Sequence, residues 1–448
     1  MERIIKWITG ALLFIMLVLI TFVAPIDFTP LNQQPFYNRM MAKLDTVPIT
    51  TFQPTQPLQV GWSQFSLVPD QPRPLAGYKP RANFEDVHDT IYARIMAVSN
   101  GPATTYIISV DLLLFPPELK KMIYENIELN ESNFIYFSAS HMHTSVGGWD
   151  PSLLGNILMG KFQAEWMQQV TLRIIEHMGK AKESMKPSRL YSWKTDAAEH
   201  VINRIDKSGN SPTDGQIRGI TVVRNDSSKG LLFTYSVHPT LISRKGTSIS
   251  ADYPGAVSAL LEKEYQYTQF LAGMMGSHGI RGFDLYEFPL VDSIGRSLAS
   301  KIDNAVAVQE DSLVQIKTAR IEIEHGPSQL RLTEMFKLRN WVFESVISPL
   351  KGEIDLLKIG DILFLGTSCD FSGEINKTMN LDHKASSLDT KLMITSFNGE
   401  YMGYITSDTH YLTSSHEEVR ALNWVGPYYG SYYTQIISKL MERAAEAE

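Results

Sequence analysis

The sequence predicts an α/β fold: a single large layered domain with mixed sheets and flanking helices, preceded by an N-terminal transmembrane helix. Three observations lead there. Apolar runs of strand length are interleaved with helical spacings from residue 59 onward, the mark of a layered α/β domain. Polar side chains and glycines recur where the apolar runs stop, which is where α/β proteins place ligands. A continuous apolar stretch stands at the N-terminus.

That stretch comes first in the chain. Residues 1–6 form a basic segment carrying Arg3 and Lys6. Residues 7–24 are apolar apart from Thr9, Gly10 and Thr21, about 18 residues and long enough to cross a bilayer. Basic residues before it and Asp27 after it predict a cytoplasmic N-terminus and an extracytoplasmic body, on the periplasmic or cell-surface side. A signal peptide is the competing reading, but Phe22-Val23-Ala24-Pro25 is a poor cleavage site, so an uncleaved anchor is favoured. Residues 25–58, rich in Pro, Gln and Thr, read as a tether lying against the body, and residues 59–448 as the domain itself.

Within the domain, Val60-Gly61-Trp62-Ser63 opens a strand. Ile91 to Val98 and Thr104 to Leu114 form a hairpin around Ser99-Asn100-Gly101. Pro116 to Glu128 has helical spacing with proline near its first turn. Asn133 to Phe137 is a buried strand, and Phe162 to Met178 an amphipathic helix. Ile217 to Val223 and Leu231 to Val237 are strands joined by a polar turn, followed by helices at Tyr253 to Tyr265 and Asp292 to Val306. Leu313 to Glu324 is a strand, Glu353 to Lys358 and Asp361 to Gly366 a hairpin, Leu392 to Phe397 a strand, and Tyr429 to Ala444 a closing helix.

Composition narrows the function. A net charge of −7 and a 20% charged fraction give no nucleic-acid footprint. Cys369 is the single cysteine, so no internal disulfide forms.

The strand ends carry the chemistry. The strand before it runs into Ser140-His141-Met142-His143-Thr144-Ser145-Val146-Gly147-Gly148, a His-x-His pair that supplies two metal ligands, or one ligand and one acid/base group. Its other reading is a pair of loop-capping imidazoles. A second exit reads Val237-His238-Pro239-Thr240. A third reads Thr367-Ser368-Cys369-Asp370-Phe371, with Glu374 four residues on, and a fourth reads Phe397-Asn398-Gly399-Glu400-Tyr401-Met402-Gly403-Tyr404. Two imidazoles, a carboxylate and a further oxygen would make a hydrolytic zinc site with room for water. Each exit also has a plain structural reading: a hydrogen-bonded histidine, a helix-capping aspartate, core tyrosines.

With these segments in order, the chain resembles the neutral ceramidase family, zinc-dependent amidases that cleave the N-acyl bond of ceramide. The resemblance runs from about Val60 to the closing helix and includes Gly77-Tyr78, the His141–Gly148 loop, Asn203-Arg204 and Val237-His238-Pro239-Thr240. It continues through Ile249-Ser250-Ala251-Asp252-Tyr253-Pro254-Gly255, Leu365 to Phe371, and Phe397-Asn398-Gly399 with Tyr401 and Tyr404. It implies Zn2+ held by His141, His238, Asp370 and Tyr404, with Glu374 as a fallback ligand, and His143 and Arg204 assisting at the reacting amide. Asp370 stands where the family has glutamate.

The chain departs from the family at its nucleophile loop, Gly276-Ser277-His278-Gly279-Ile280. Gly279 stands at the serine position and Ser277 two residues earlier, so Ser277 acts from a shifted loop, water attacks instead, or the site is inactive. A counterpart of the family's C-terminal immunoglobulin-like domain is not expected from this sequence. The resulting expectation is a membrane-tethered zinc amidase acting on a lipid amide, with Trp149, Leu153 and Met159 lining its entry. The alternatives are a hydrolase of another acyl amide or ester on the same fold, and a non-catalytic envelope protein.

Overall fold

A computed structural model describes residues 2–446 apart from 79, 129, 131, 207 and 282–284. Two sheets face each other, and helices cover both outer sides. The larger sheet runs, in spatial order, through Tyr267–Ala272, Lys229–Tyr235, Gln216–Arg224, Lys186–Asp196, Gln59–Ser66, Tyr92–Ser99, Thr104–Val110 and Asn133–Ala139. The smaller runs through Thr50–Phe52, Ile316–Glu322, Glu353–Ile359, Ile362–Thr367 and Lys391–Thr395. Between them lies an apolar layer that includes Val60, Ile107, Leu232, Leu357 and Phe364. The long helix Ala164–Glu183 packs outside the larger sheet, burying Trp166, Val170 and Ile174. The closing helix Tyr429–Ala445 packs outside the smaller one, burying Tyr433, Ile437 and Leu440.

Within these two sheets most neighbouring strands are antiparallel, but three pairs are parallel. These are Thr104–Val110 with Asn133–Ala139, Lys229–Tyr235 with Tyr267–Ala272, and Ile362–Thr367 with Lys391–Thr395. A parallel pair needs a crossover, and helices supply it: Pro117–Glu125, Asp252–Leu261, and Gly373–Thr378 with Leu381–Ser386. The carboxyl ends of such strands are the usual place for a ligand.

The predicted hairpins form as expected, with Ala97 opposite Tyr106 and Leu356 opposite Leu365. Residues 25–58 differ from a tether. They contain the helix Pro35–Thr46, whose Phe36, Met40 and Leu44 recur at helical spacing and are buried in the core. Each such burial contributes about 2 kcal/mol. Thr50–Phe52 then joins the smaller sheet beside Ile316–Glu322. The strands Lys186–Asp196 and Tyr267–Ala272 were not among those expected from the sequence. Ahead of the body, Glu2–Phe22 is a single helix with no buried residue. Its length and composition suit a membrane span or a signal sequence.

Candidate metal centre

The exits of five strands converge. Asn133–Ala139 leads to His141, Lys229–Tyr235 to His238, Tyr267–Ala272 to Ser277, Ile362–Thr367 to Asp370, and Lys391–Thr395 to Phe397. Three of these residues, His141, Ser277 and Phe397, hold positive φ angles of 63°, 68° and 66°. Non-glycine residues avoid that region, and such strain gathers where the surrounding fold fixes a functional side chain.

His141 and His238 are buried and oriented alike. His141 Nδ1 lies 2.7 Å from the Leu113 carbonyl, and His238 Nδ1 lies 2.9 Å from the His278 carbonyl. A carbonyl can only accept, so each Nδ1 carries the hydrogen and each Nε2 presents a lone pair. Both Nε2 atoms point to Asp370 Oδ1, each at 3.4 Å. His143 Nε2 is 3.2 Å from His141 Nε2, and the Tyr404 hydroxyl is 3.0 Å from His238 Nε2. Candidate ligand atoms of the three histidines lie within 4.8 Å of one another.

This donor set fits a small divalent cation. Asp370 is fully buried, yet no hydrogen bond reaches its Oδ1. A buried carboxylate oxygen facing two imidazole lone pairs is costly unless a cation stands among them. Ligand atoms about 2.0–2.1 Å from one tetrahedral ion lie roughly 3.3 Å apart, which matches the 3.4 Å separations here. The supporting shell is present as well: carbonyls hold both Nδ1–H groups, and the Tyr401 hydroxyl donates to Asp370 Oδ2 at 2.6 Å. The Phe397 ring stacks on His141 at 4.3 Å.

Electrostatics agree with that geometry. Burial holds His141 well below its ordinary value against the pull of Asp370, and neighbouring His143 and His238 push the same way. Burial does the same to His143 and His238, aided at both by Arg204. All three imidazoles are therefore neutral donors at neutral pH. Burial raises the Asp370 carboxyl, against the pull of His141 and Tyr401.

Arg204 borders the cluster. Its Nη2 is 2.7 Å from His238 Nε2 and 3.5 Å from the Tyr404 hydroxyl. The same lone pair of His238 cannot serve a metal and accept from Arg204 at once. Arg204 is held from behind by an ion pair with buried Glu418, which also accepts the Ser277 backbone N–H at 2.8 Å. Gly77 explains the Gly-Tyr motif: a Cβ there would stand 2.4 Å from His143 Cα. The adjoining Tyr78 ring then packs on the His143 ring at 4.9 Å.

Other expected residues lie elsewhere. Glu374 is engaged by Asn203 at 2.6 Å and His410 at 2.8 Å, not by the histidine cluster. The Ser277 hydroxyl is 2.6 Å from the Ser372 hydroxyl and has no hydrogen bond to a histidine. Trp149 is buried, with its indole N–H on the Val146 carbonyl, so it is core rather than an entry wall. Cys369 is buried and its thiol is pushed up, which keeps it protonated. Glu418 escaped sequence reasoning because an acidic residue in a helix first turn is ordinary.

Comparison with known proteins bears on the fold and on part of the sequence. Residues 73–279 match the family described as neutral/alkaline non-lysosomal ceramidase, N-terminal. The fold is that of the neutral ceramidase from Pseudomonas aeruginosa, with a TM-score of 0.72 at 14% identity, covering 87% of this chain and 75% of that one. A second structure, a ceramidase complexed with C2, gives a TM-score of 0.69 at 14% identity over 87% of this chain and 76% of that one. The match over residues 73–279 and the shared fold make the chain similar to the neutral/alkaline non-lysosomal ceramidases.

Proposed function

We propose that the protein is a zinc-dependent amidohydrolase that cleaves the N-acyl amide of ceramide or a related lipid. The observation that carries the reading is the orphaned Asp370 Oδ1, buried and equidistant from two imidazole lone pairs. His141, His238, Asp370 and Tyr404 would hold the ion. Bound there, zinc would supply Lewis-acid polarisation of the amide carbonyl and a lowered pKa for water.

The chain's own residues do the rest. Arg204, braced by Glu418, directs a guanidinium N–H at the oxygen that gains charge as the carbonyl carbon becomes tetrahedral. His143, neutral and beside His141, accepts the proton of the attacking water and delivers it to the leaving nitrogen. The C–N bond breaks, giving a fatty acid and an amine. Ser277 replaces water as nucleophile only if its hydroxyl turns from Ser372.

The test is fatty-acid release from a fluorescent ceramide by the full chain, with zinc measured on the same sample. Release that disappears in His143→Ala while zinc is retained supports the reading. Bound zinc with intact ceramide and turnover of other acyl amides moves the substrate elsewhere. Absence of both metal and turnover supports the non-catalytic alternative, which the serine-less position at Gly279 favours.

A further inference from the structure

The helix Glu2–Phe22 does not hang freely from the body. Arg339 Nε donates to the Ile20 carbonyl at 2.7 Å, and the Arg339 backbone N–H to the Phe22 carbonyl at 2.9 Å. The Trp341 indole N–H reaches the Thr21 carbonyl at 3.3 Å, and the Phe22 and Trp341 rings lie 5.4 Å apart. Val23–Pro25 then pairs antiparallel with Phe336–Leu338. The level at which the apolar helix ends is thus fixed against one face of the body.

That face is apolar. Leu332, Met335 and Phe336 are 50%, 59% and 48% exposed. Trp341 is 48% exposed on the short helix Asn340–Val346. The helix Leu153–Met159 packs beside Asn340–Val346 and exposes Leu153 and Ile157 at 56% and 55%. Large apolar side chains gathered on one face mark an interaction surface rather than ordinary scatter. Its acidic residues are engaged: Glu334 pairs with Arg420 at 3.1 Å, and Glu344 accepts from the Asn340 side chain at 2.8 Å.

We propose that this face is a second membrane-contact site, seated in the interfacial layer of the bilayer that Glu2–Phe22 crosses. Continuity with the anchor selects the occupant. A bilayer around the helix must end near Thr21 and Phe22, level with Trp341, and tryptophan prefers that depth. Apolar side chains on monotopic surfaces sit roughly 5–10 Å into the same layer. The face is connected through the chain to the loop that carries His141 and His143. Leu153–Met159 begins five residues after Gly148, and a Cβ at Gly147 would stand 2.1 Å from the Met159 carbonyl oxygen. The inference is independent of the amidase reading.

Depth-dependent quenching tests it. Cys369 is fully buried, so an introduced cysteine is the accessible thiol. Met335→Cys and Ile157→Cys would carry an environment-sensitive fluorophore in the full chain, reconstituted in phosphatidylcholine–phosphatidylglycerol nanodiscs. The control is Leu313→Cys, 60% exposed and placed at the start of the strand Ile316–Glu322, the end away from the 326–338 segment. The expected result is blue-shifted emission at 335 and 157, quenched several-fold by a nitroxide lipid labelled near the headgroup and less by one labelled mid-chain, with no quenching at 313. Probes at 335 and 157 that are as unquenched as 313 overturn the proposal, whether they report water or a covering protein. Leu332→Cys gives the same reading should either variant fold poorly.

Discussion

Two of the fully buried aspartates, Asp214 and Asp370, titrate in opposite directions. Asp214 meets Arg218 at 2.9 Å, Lys377 at 3.5 Å and Asn376 at 3.2 Å. Burial pushes its carboxyl up, but Arg218 and Lys377 overcome that and hold it below its ordinary value. Asp370 has the Tyr401 hydroxyl on one oxygen and, on the other, two imidazole lone pairs and no hydrogen. Burial there wins, and its carboxyl is raised. Asp214 brings its own cations and belongs to the scaffold. Asp370 is arranged to receive one, and that difference separates a structural charge from a candidate ligand.

The difference can be broken from either side. The largest effect expected is at Asp370: Asp370→Ala should lower metal affinity by more than the roughly 10–100-fold that loss of a supporting residue costs, and amide hydrolysis should fall with it. Equilibrium dialysis against zinc checks the first and substrate turnover the second. At Asp214 the loss should appear in stability instead. Asp214→Asn leaves buried Arg218 with Asp382 as its carboxylate partner, so the cost in denaturant unfolding should fall below the about 3–5 kcal/mol of an unpaired buried charge, with metal content per folded molecule unchanged.

Tyr401→Phe is a smaller step, because it removes only the donor that orients Asp370 Oδ2. Metal affinity should fall about 10–100-fold, measured by competition with a chromogenic chelator, while the melting temperature moves little. A third aspartate sharpens the series. Asp252 accepts backbone N–H groups of Leu241 and Tyr253, which are neutral donors, and burial raises its carboxyl to about 7. The folded state therefore keeps a proton that the unfolded chain releases near its ordinary value of 3.8. The stability this gives is full below about pH 4 and is lost as pH rises through 7. Unfolding at pH 5 and 7.5 should show wild type losing more stability across that window than Asp252→Asn, by at most about 1.4 kcal/mol per pH unit.

Much of this architecture was legible because its hydrophobic pattern is one-sided or continuous. Tyr92–Ser99, Thr104–Val110 and Ile362–Thr367 are nearly all buried, and their runs stand out. Lys186–Asp196 did not stand out, since Lys186, Arg189 and Lys194 interrupt it and its buried positions include Ser188 and Ser192. Proline and glutamine between 25 and 58 concealed the helix carrying Phe36, Met40 and Leu44. For the site, the exits holding His141, His238 and Asp370 were readable one at a time, but their meeting was not. Residues 141 and 370 are brought to 3.4 Å by sheet packing, which no local pattern encodes. Glu418 and the Leu113 carbonyl were hidden for the same reason: they act by position, with no motif around them.

The most direct test is zinc stoichiometry in the purified full chain, compared with His141→Ala, Asp370→Ala and Glu374→Gln. One zinc per chain in wild type and in Glu374→Gln, with loss in the other two, is the predicted result. A wild-type protein that takes up no metal, or His141→Ala and Asp370→Ala variants that keep it, would contradict the assignment of the convergent strand ends as a metal centre.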